Sequence, residues 1–201
     1  MRTRLAPAFA ALAAFSLAVA GCAPTEGDRL ADEFRSGSGQ GYISGDGAYT
    51  IVAPEDRQSP VSFQGVLDTG EPFDSDDLAG QVYVVNFWYA SCPPCRVEAP
   101  DLQALSEEFA PQGVPFIGIN IRDRAAQSLA FAEEFGITYP SIIDIESGAA
   151  RLAFAGQVAP NAVPTTLVVD AQGRVAARIS GLLTEPSTLR AMITDTLAES
   201  G

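Results

Sequence analysis

Residues 84–95 read Val-Val-Asn-Phe-Trp-Tyr-Ala-Ser-Cys-Pro-Pro-Cys and carry Cys92 and Cys95 behind an apolar, β-branched run. The continuous apolar character predicts a buried strand over 82–87. Apolar residues at helical spacing after Cys95 predict a helix, with both cysteines at its first turn. Cysteines placed in this way can form and break a disulfide with little chain movement, and the helix dipole stabilises a thiolate there. The stretch therefore predicts redox chemistry.

The composition narrows the chemistry that the chain can perform. Among 201 residues there is no histidine, every basic residue is an arginine, and the formal net charge is −13. Because the chain has no dense basic patch to neutralise phosphates, it is not expected to bind nucleic acid. Without histidine it lacks Cys–His nucleophilic catalysis and imidazole metal ligands. Proton transfer therefore depends on thiols, carboxylates or water, and neither a metal nor a cofactor is expected.

The N-terminus has the features of a bacterial lipoprotein signal. Two arginines precede an apolar run over 5–20, and small residues lead directly into Cys22. We expect residues 1–21 to be a signal peptide, Cys22 to be lipidated, and residues 22–47 to be a flexible tether. This pattern predicts an extracytoplasmic domain over 48–201 that is anchored to the outer face of the cell membrane. An ordinary secretory signal or a retained anchor helix is the alternative.

Once Cys22 carries lipid, the other two cysteines are the only internal pair. A disulfide between Cys92 and Cys95 would close too small a loop to be an effective structural crosslink. A zinc site would need a second pair of cysteine or histidine ligands, which the chain lacks. An inert disulfide and a zinc site are therefore weaker explanations of the pair than redox chemistry.

Beyond the cysteine stretch, apolar periodicity predicts alternating strands and helices. Strands are expected over 49–53, 61–66, 82–87, 114–120, 163–170 and 175–179, and a short strand or an extended loop over 139–145. Helices are expected over 125–135, 149–154 and 186–197 in addition to the cysteine helix. A turn at 68–70 predicts an N-terminal β-hairpin extension. The order of the elements predicts an α/β fold with a central mixed β-sheet flanked by helices.

The cysteine stretch and a later proline-containing run resemble thioredoxin-fold proteins of the TlpA/ResA type. The residues that carry the resemblance are Asn86-Phe87-Trp88, Cys92-Pro93-Pro94-Cys95-Arg96-Val97-Glu98-Ala99-Pro100 and Val163-Pro164-Thr165-Thr166. The resemblance extends over 61–197 and implies a thioredoxin fold and a membrane-tethered, extracytoplasmic thiol–disulfide oxidoreductase. An acidic, glycine-rich lead-in over 41–47 is similar to actinobacterial members that are associated with cytochrome c maturation.

The resemblance also implies roles for individual residues. Cys92 would be the more exposed, attacking thiolate, and Cys95 the buried resolving thiol. Pro164 would be a cis proline that faces the pair and turns Val163 so that its backbone binds an extended substrate. An ordinary trans proline at the start of a strand is the alternative. Substrate contacts are expected at Trp88, Pro93, Val163 and Pro164.

Glu98 lies one helical turn after Cys95, and the resemblance implies that its carboxylate manages protons near the buried thiol. General thioredoxins use an acid in the central strand for this task, where this chain has Asn86, which cannot titrate. The alternative for Glu98 is a solvated acid in the first turn of the helix. Arg96 is expected to be a surface residue.

Two departures from the family pattern predict how this site differs. Ser91 stands where relatives often have tryptophan, so a more open rim is expected. Pro93 and Pro94 remove two backbone N–H donors that could stabilise the Cys92 thiolate. We therefore expect a reducing rather than a strongly oxidising protein.

These features predict a reductant of protein disulfides. By resemblance, its client is the haem-binding cysteine pair of apocytochrome c, and a membrane-embedded thiol reductase re-reduces the cysteines. A disulfide-forming oxidase or isomerase and a non-enzymatic surface lipoprotein are the alternatives. A redoxin peroxidase would have proline and threonine where this chain has Val85 and Tyr89, and a copper-delivery protein would have Cys-x3-Cys and a histidine.

Overall fold

The computed structural model describes residues 48–158 and 162–199. The strands in these residues are β1 Ala48–Ile51, β2 Gln64–Val66, β3 Pro72–Asp74, β4 Tyr83–Trp88, β5 Phe116–Asn120, β6 Ser141–Ile143, β7 Thr165–Val169 and β8 Val175–Ser180. The α-helices are α1 Pro93–Phe109, α2 Ala125–Phe135, α3 Ala149–Ala153 and α4 Pro186–Ala198. The expected signal peptide 1–21, lipidation site Cys22 and tether 22–47 lie outside the described residues. No helix in the described ranges is both long and apolar enough to span a bilayer.

Six strands form one mixed sheet in the order β1-β8-β7-β4-β5-β6. The central strand β4 runs parallel to β5 and antiparallel to β7. Every residue of β4 is buried, as the continuous apolar run over 82–87 predicted. The mixed sheet and its flanking helices confirm the predicted fold class. Because β4 ends at Trp88, the sheet delivers the chain directly to the turn that carries Cys92.

Alternate side chains of β4 enter two hydrophobic cores, one on each face of the sheet. Val85 and Phe87 pack with Phe63 and Phe154 on the face that α3 covers. Val84 packs on the other face, beneath α1 and α4. Burial of each such side chain contributes about 1.5–3 kcal/mol. The strand that leads to the N-terminus of α1 is therefore fixed by packing on both of its faces.

Strands β2 and β3 pair antiparallel and form the predicted N-terminal hairpin. The strand expected over 61–66 begins only at Gln64. The reason is that Val61 and Phe63 are buried in the core, and their N–H groups bond outside any strand ladder. Strand β1 pairs with β8 and so extends the main sheet rather than the hairpin.

The hairpin packs closely on the outer edge of β6. Leu67 forms an antiparallel bridge with Ile142, and a β-carbon at Gly65 would lie only 2.4 Å from Cγ2 of Ile142. Asp68 adds a buried hydrogen bond, because it accepts the Ser128 hydroxyl of α2 at 2.7 Å. The absence of a side chain at Gly65 thus lets the hairpin cover a strand that would otherwise be a free edge.

Candidate active site

Cys92 and Cys95 form a disulfide at the N-terminus of α1, with their Cα atoms 5.3 Å apart. Cys92 is the N-cap residue, and Cys95 lies in the first helical turn, where the sequence predicted them. Cys92 is 2% exposed and Cys95 is 3% exposed. The expectation that Cys92 is the more exposed residue is therefore not met in the disulfide form, because Trp88 and Phe131 belong to the same buried cluster as both cysteines.

The first two helical positions of α1 are Pro93 and Pro94, which have no N–H group. The next N–H, that of Cys95, donates to Sγ of Cys92 at 3.2 Å. Two donors of the helix N-terminus are thus missing, as expected, and one still reaches the sulfur. Pro93 is exposed, whereas Pro94 is half-buried, so the former is the accessible proline at the cysteine turn.

The loop before β7 approaches the cysteines. The Val163–Pro164 peptide is cis, which confirms the expected geometry. Pro164 is buried, and Val163 is half-buried against the cluster that contains both cysteines. The Pro164 carbonyl accepts the Gly181 N–H at 2.9 Å, and the Thr165 hydroxyl donates to the Ala162 carbonyl at 2.9 Å. These bonds fix the backbone that carries Val163.

Glu98 is only 1% exposed, so it is not a solvated first-turn acid. Its Oε1 atom accepts the Asn86 amide at 3.0 Å, and its Oε2 atom accepts the Leu183 N–H at 2.9 Å. Burial raises the pKa of Glu98 from 4.5 to about 7, against the lowering effect of these two hydrogen bonds, and the charge of Asp101 raises it further. None of the ion pairs among the described residues involves Glu98.

Asn86, the central-strand residue that cannot titrate, holds Glu98 in place. It lies opposite Thr166 of β7, and its amide nitrogen donates to Glu98 and, at 3.1 Å, to the Thr166 hydroxyl. No local sequence pattern identified the other partner of Glu98, Leu183, since that residue lies in the loop between β8 and α4. The carboxylate site is therefore completed only by the fold.

Trp88 requires a correction to the expected substrate contacts. It is 5% exposed, its ring centroid lies 4.3 Å from that of Phe131, and its Nε1 donates to Ser141 Oγ at 3.2 Å. A β-carbon at Gly118 would lie 2.8 Å from the indole nitrogen, so this glycine makes room for the bond. Because the indole is enclosed, Trp88 supports the cysteine turn from inside the protein and does not form its surface.

The turn that leads into Cys92 is held by two side chains that were not among the predicted site residues, Asn120 and Asp123. Asp123 Oδ2 accepts the Ala90 N–H at 2.5 Å and the Asn120 amide at 2.9 Å. In return, Asn120 Oδ1 accepts the Asp123 N–H at 2.8 Å. The available signal was the Asn-x-x-Asp spacing after β5, which is typical of a turn stabilised by side chains.

Arg96, expected at the surface, also braces the cysteine turn. It forms an ion pair with Glu134 of α2, and 40% of its side chain is exposed. Its guanidinium carbon lies 4.8 Å from the ring centroid of Phe135, and its Nη1 donates to the Ala90 carbonyl at 3.4 Å. The surface prediction is therefore only partly right, because the guanidinium joins α1, α2 and the turn before Cys92.

Together these residues can carry out a reversible two-electron exchange. Two sulfur atoms form the oxidised state, and a carboxyl group with a pKa near neutrality lies one helical turn away. Such a group can accept and return a proton at neutral pH. Within the described residues no group of three or more His, Cys, Asp or Glu side chains is arranged to hold a metal ion.

Comparison with known proteins agrees with this chemistry. The Redoxin family model matches residues 52–193. The thiol:disulfide interchange protein HelX of Rhodobacter capsulatus is 36% identical over 130 residues, which are 64% of this chain and 69% of HelX. The thiol-disulfide oxidoreductase ResA of Geobacillus thermodenitrificans is 33% identical over 109 residues, which are 54% of this chain and 60% of ResA.

A solved structure supports the assignment of the fold. A thiol:disulfide interchange protein of the thioredoxin family from Chlorobium tepidum superimposes with a TM-score of 0.64 and is 31% identical. The match covers 72% of this chain and 99% of that protein. The chain thus has the thioredoxin fold, as the resemblance to the TlpA/ResA type implied.

Proposed function

We propose, from the premise that the chain belongs to the redoxin family and is a thiol–disulfide oxidoreductase, that it reduces protein disulfides outside the cytoplasm through Cys92 and Cys95. The observation that carries the proposal is buried Glu98, whose pKa is raised to about 7 one helical turn from Cys95. A buried carboxyl that titrates near neutrality and lies one helical turn from a thiol can exchange protons with that thiol at the working pH.

In the reduced protein, the Cys92 thiolate attacks one sulfur of the client disulfide, and the other client sulfur leaves as a thiolate and takes up a proton. Cys95 then gives its proton to the Glu98 carboxylate and attacks Sγ of Cys92. The bond between Cys92 and the client breaks, and the second client sulfur leaves and is protonated. The client gains two electrons, and the chain is left with the Cys92–Cys95 disulfide.

The client would lie across the exposed side of the cysteine turn. Pro93 is exposed there, and Val163, followed by cis Pro164, is half-buried against the cysteine cluster. An extended client segment can pair with the Val163 backbone as an added strand. Trp88 contributes from inside the protein by fixing the position of the turn, since its indole is bonded to Ser141.

The paired prolines favour reduction as the direction of the reaction. Pro93 and Pro94 leave the Cys95 N–H as the donor that reaches Cys92 Sγ, so the thiolate form gains less stabilisation than at an ordinary helix N-terminus. Equilibration with glutathione tests the direction. We expect a reduction potential between about −270 and −200 mV, whereas a value near −120 mV, typical of a dedicated oxidase, would favour disulfide formation.

The proposal also includes the location of the protein, its client and the partner that regenerates its dithiol. Support for an extracytoplasmic, lipid-anchored protein comes from the signal-like residues 1–21 and from Cys22. The client is apocytochrome c, whose haem-binding cysteines must be reduced before haem attachment, as the resemblance to cytochrome c maturation proteins implies. A membrane-embedded thiol reductase would regenerate the dithiol, because the compartment outside the cytoplasm is oxidising.

Replacement of Cys95 by Ser tests both the chemistry and the client. Without the resolving thiol, the mixed disulfide between Cys92 and its client should accumulate, and mass spectrometry of the trapped species identifies the client. Cys92→Ser is the matched control and should trap nothing. Trapped apocytochrome c supports the proposal, whereas capture of many unrelated secreted proteins would favour an oxidase or isomerase. A failure to trap any client would contradict the reductant function.

A further inference from the structure

A small cavity beside Cys95 is lined by residues of β4, α1, α2 and the segment that leads into β6. Side chains on its wall include Asn86, Trp88, Cys95, Phe131, Tyr139 and Ser141. The space open to the centre of a water molecule is about 10 Å³, which is close to the minimum that one water needs. The exchange mechanism described above makes no use of this cavity.

Three polar groups on the cavity wall have unused hydrogen-bonding capacity. The Tyr139 hydroxyl has no hydrogen bond to any described residue. Ser141 Oγ accepts the Trp88 indole and keeps its own hydroxyl hydrogen. The Asn86 amide nitrogen donates twice, and its carbonyl oxygen still has both acceptor positions. A buried water requires two to four such partners, so this wall can hold one.

We propose that the cavity holds one ordered water, that the Tyr139 hydroxyl fixes this water, and that the water donates a hydrogen bond to the Cys95 sulfur when it is a thiolate. Tyr139 is then a positioning residue, because it acts on the sulfur through the water. The inference rests on the proposed function, since it concerns the step in which Cys95 gives up its proton and attacks Cys92. A hydrogen bond to the thiolate makes that proton easier to remove.

The charges around the cavity explain why a hydrogen bond from the water would stabilise the Cys95 thiolate. Glu98 lies one helical turn from Cys95, so its charge, when it is ionised, disfavours a thiolate there, and the charge of Asp101 raises the pKa of Glu98. Arg96 of α1 is already paired with Glu134 of α2, and β4 and β6 present uncharged groups to the cavity. Burial and the charge of Glu98 raise the pKa of Tyr139, so the phenol stays protonated and able to donate over the working pH range.

The test measures the pKa of the Cys95 thiol from its β-carbon chemical shift by NMR. The full chain carries Cys22→Ser and Cys92→Ser, so that Cys95 is its only thiol. Tyr139→Phe removes the hydroxyl and keeps the ring. Tyr83→Phe is the matched control, because burial likewise raises the pKa of Tyr83, to about 12, but Tyr83 lies at the far end of β4 from the cysteines.

We expect Tyr139→Phe to raise the thiol pKa of Cys95 by about half a unit to one unit, the effect of one lost hydrogen bond to a charged group through water. Release of the client from the mixed disulfide should become about threefold to tenfold slower at pH 7 in the chain that retains Cys92. Tyr83→Phe should change neither value. An unchanged Cys95 pKa in folded Tyr139→Phe would overturn the inference.

A second variant keeps the test decisive if Tyr139→Phe does not fold. Ala132→Val adds bulk on the cavity wall and should expel the water while Tyr139 stays intact, so the Cys95 pKa should rise again. A normal Cys95 pKa in Ala132→Val would contradict the role of the water. The attack of Cys92 on the client precedes this step, so loss of that attack would contradict the proposed function instead.

Discussion

Glu98 and Asp170 are both buried carboxylates with 1% exposure, but they accept hydrogen bonds from different kinds of donor. Glu98 accepts an amide and a backbone N–H, and burial raises its pKa to about 7. Asp170, at the end of β7, accepts Arg57 at 3.0 Å and Arg174 at 2.9 Å. Burial alone would raise the pKa of Asp170, but the hydrogen bonds from the Arg174 backbone and from both arginines hold it below 3.8.

The comparison shows that burial alone does not determine whether a carboxylate is ionised at neutral pH. Two arginines keep Asp170 ionised, so it serves as a permanent anchor for the turn between β7 and β8. Neutral donors hold Glu98 in one position but leave it free to gain or lose a proton near neutral pH. The first acid stabilises the fold and the second can take part in the thiol chemistry.

The largest expected effect is on stability at Asp170. Asp170→Asn removes the carboxylate that Arg57 and Arg174 share, and Arg57, whose side chain is 2% exposed, keeps the 36% exposed Glu199 as an ion-pair partner. We therefore expect a loss of about 3–5 kcal/mol in the free energy of unfolding, as for a buried ion pair that loses one partner. Chemical denaturation of the disulfide form at pH 7 measures it. Glu98→Gln, the matched amide substitution, should cost clearly less, and equal losses would contradict the comparison.

The next effect is on the pH dependence of stability. Since the folded pKa of Glu98 is about 7 and its ordinary value is 4.5, the folded chain binds this proton more tightly. The resulting stabilisation is fully present below pH 4.5 and is lost as the pH rises to 7, a change of roughly 3 kcal/mol. In Glu98→Gln this component should be absent. Denaturation at pH 5 and pH 8 measures the difference.

A surface acid provides the control for that pH experiment. Glu133 is exposed on α2, and Glu133→Gln should keep the full pH dependence of the original chain. If Glu98→Gln and the original chain lose the same free energy of unfolding between pH 5 and pH 8, Glu98 is not the group that titrates there.

A smaller effect is expected on the rate of client release. Without its carboxylate, Glu98→Gln cannot take the proton from Cys95, so the mixed disulfide should resolve about tenfold more slowly at pH 8. The two chains should converge at pH 5, where Glu98 is already protonated. Samples quenched at successive times and analysed by mass spectrometry measure the decay of the mixed disulfide. Asp170→Asn, under conditions in which it is folded, should resolve at the original rate, and a matching slowdown there would contradict the assignment.

The residues with local signals were predicted well. The apolar run of β4 and the two cysteines at the start of α1 depend on neighbours in the sequence, and the structure has both where they were expected. The family resemblance implied the cis peptide before Pro164, which the structure has as well. The hairpin was also predicted, although its first strand is shorter because Val61 and Phe63 turn into the core.

The remaining features depend on contacts between distant residues. Burial of Glu98 results from the packing of α1 against β4 and from the Leu183 N–H, 85 residues away in the sequence. Trp88 was expected to contact the substrate, but its hydrogen bond to Ser141 and the space above Gly118 keep the indole inside the protein. Such partners carry no periodicity or motif that a single sequence displays.

A titration of the side-chain carboxyl of Glu98 by NMR, in the disulfide form, is the most direct test that this acid is the proton carrier of the site. We predict a pKa near 7 for Glu98, while the pKa of Asp170 lies below the ordinary value of an aspartate in the same experiment. A pKa for Glu98 close to 4.5 would show that burial does not hold its proton, and would contradict its assignment as the group that exchanges protons with Cys95.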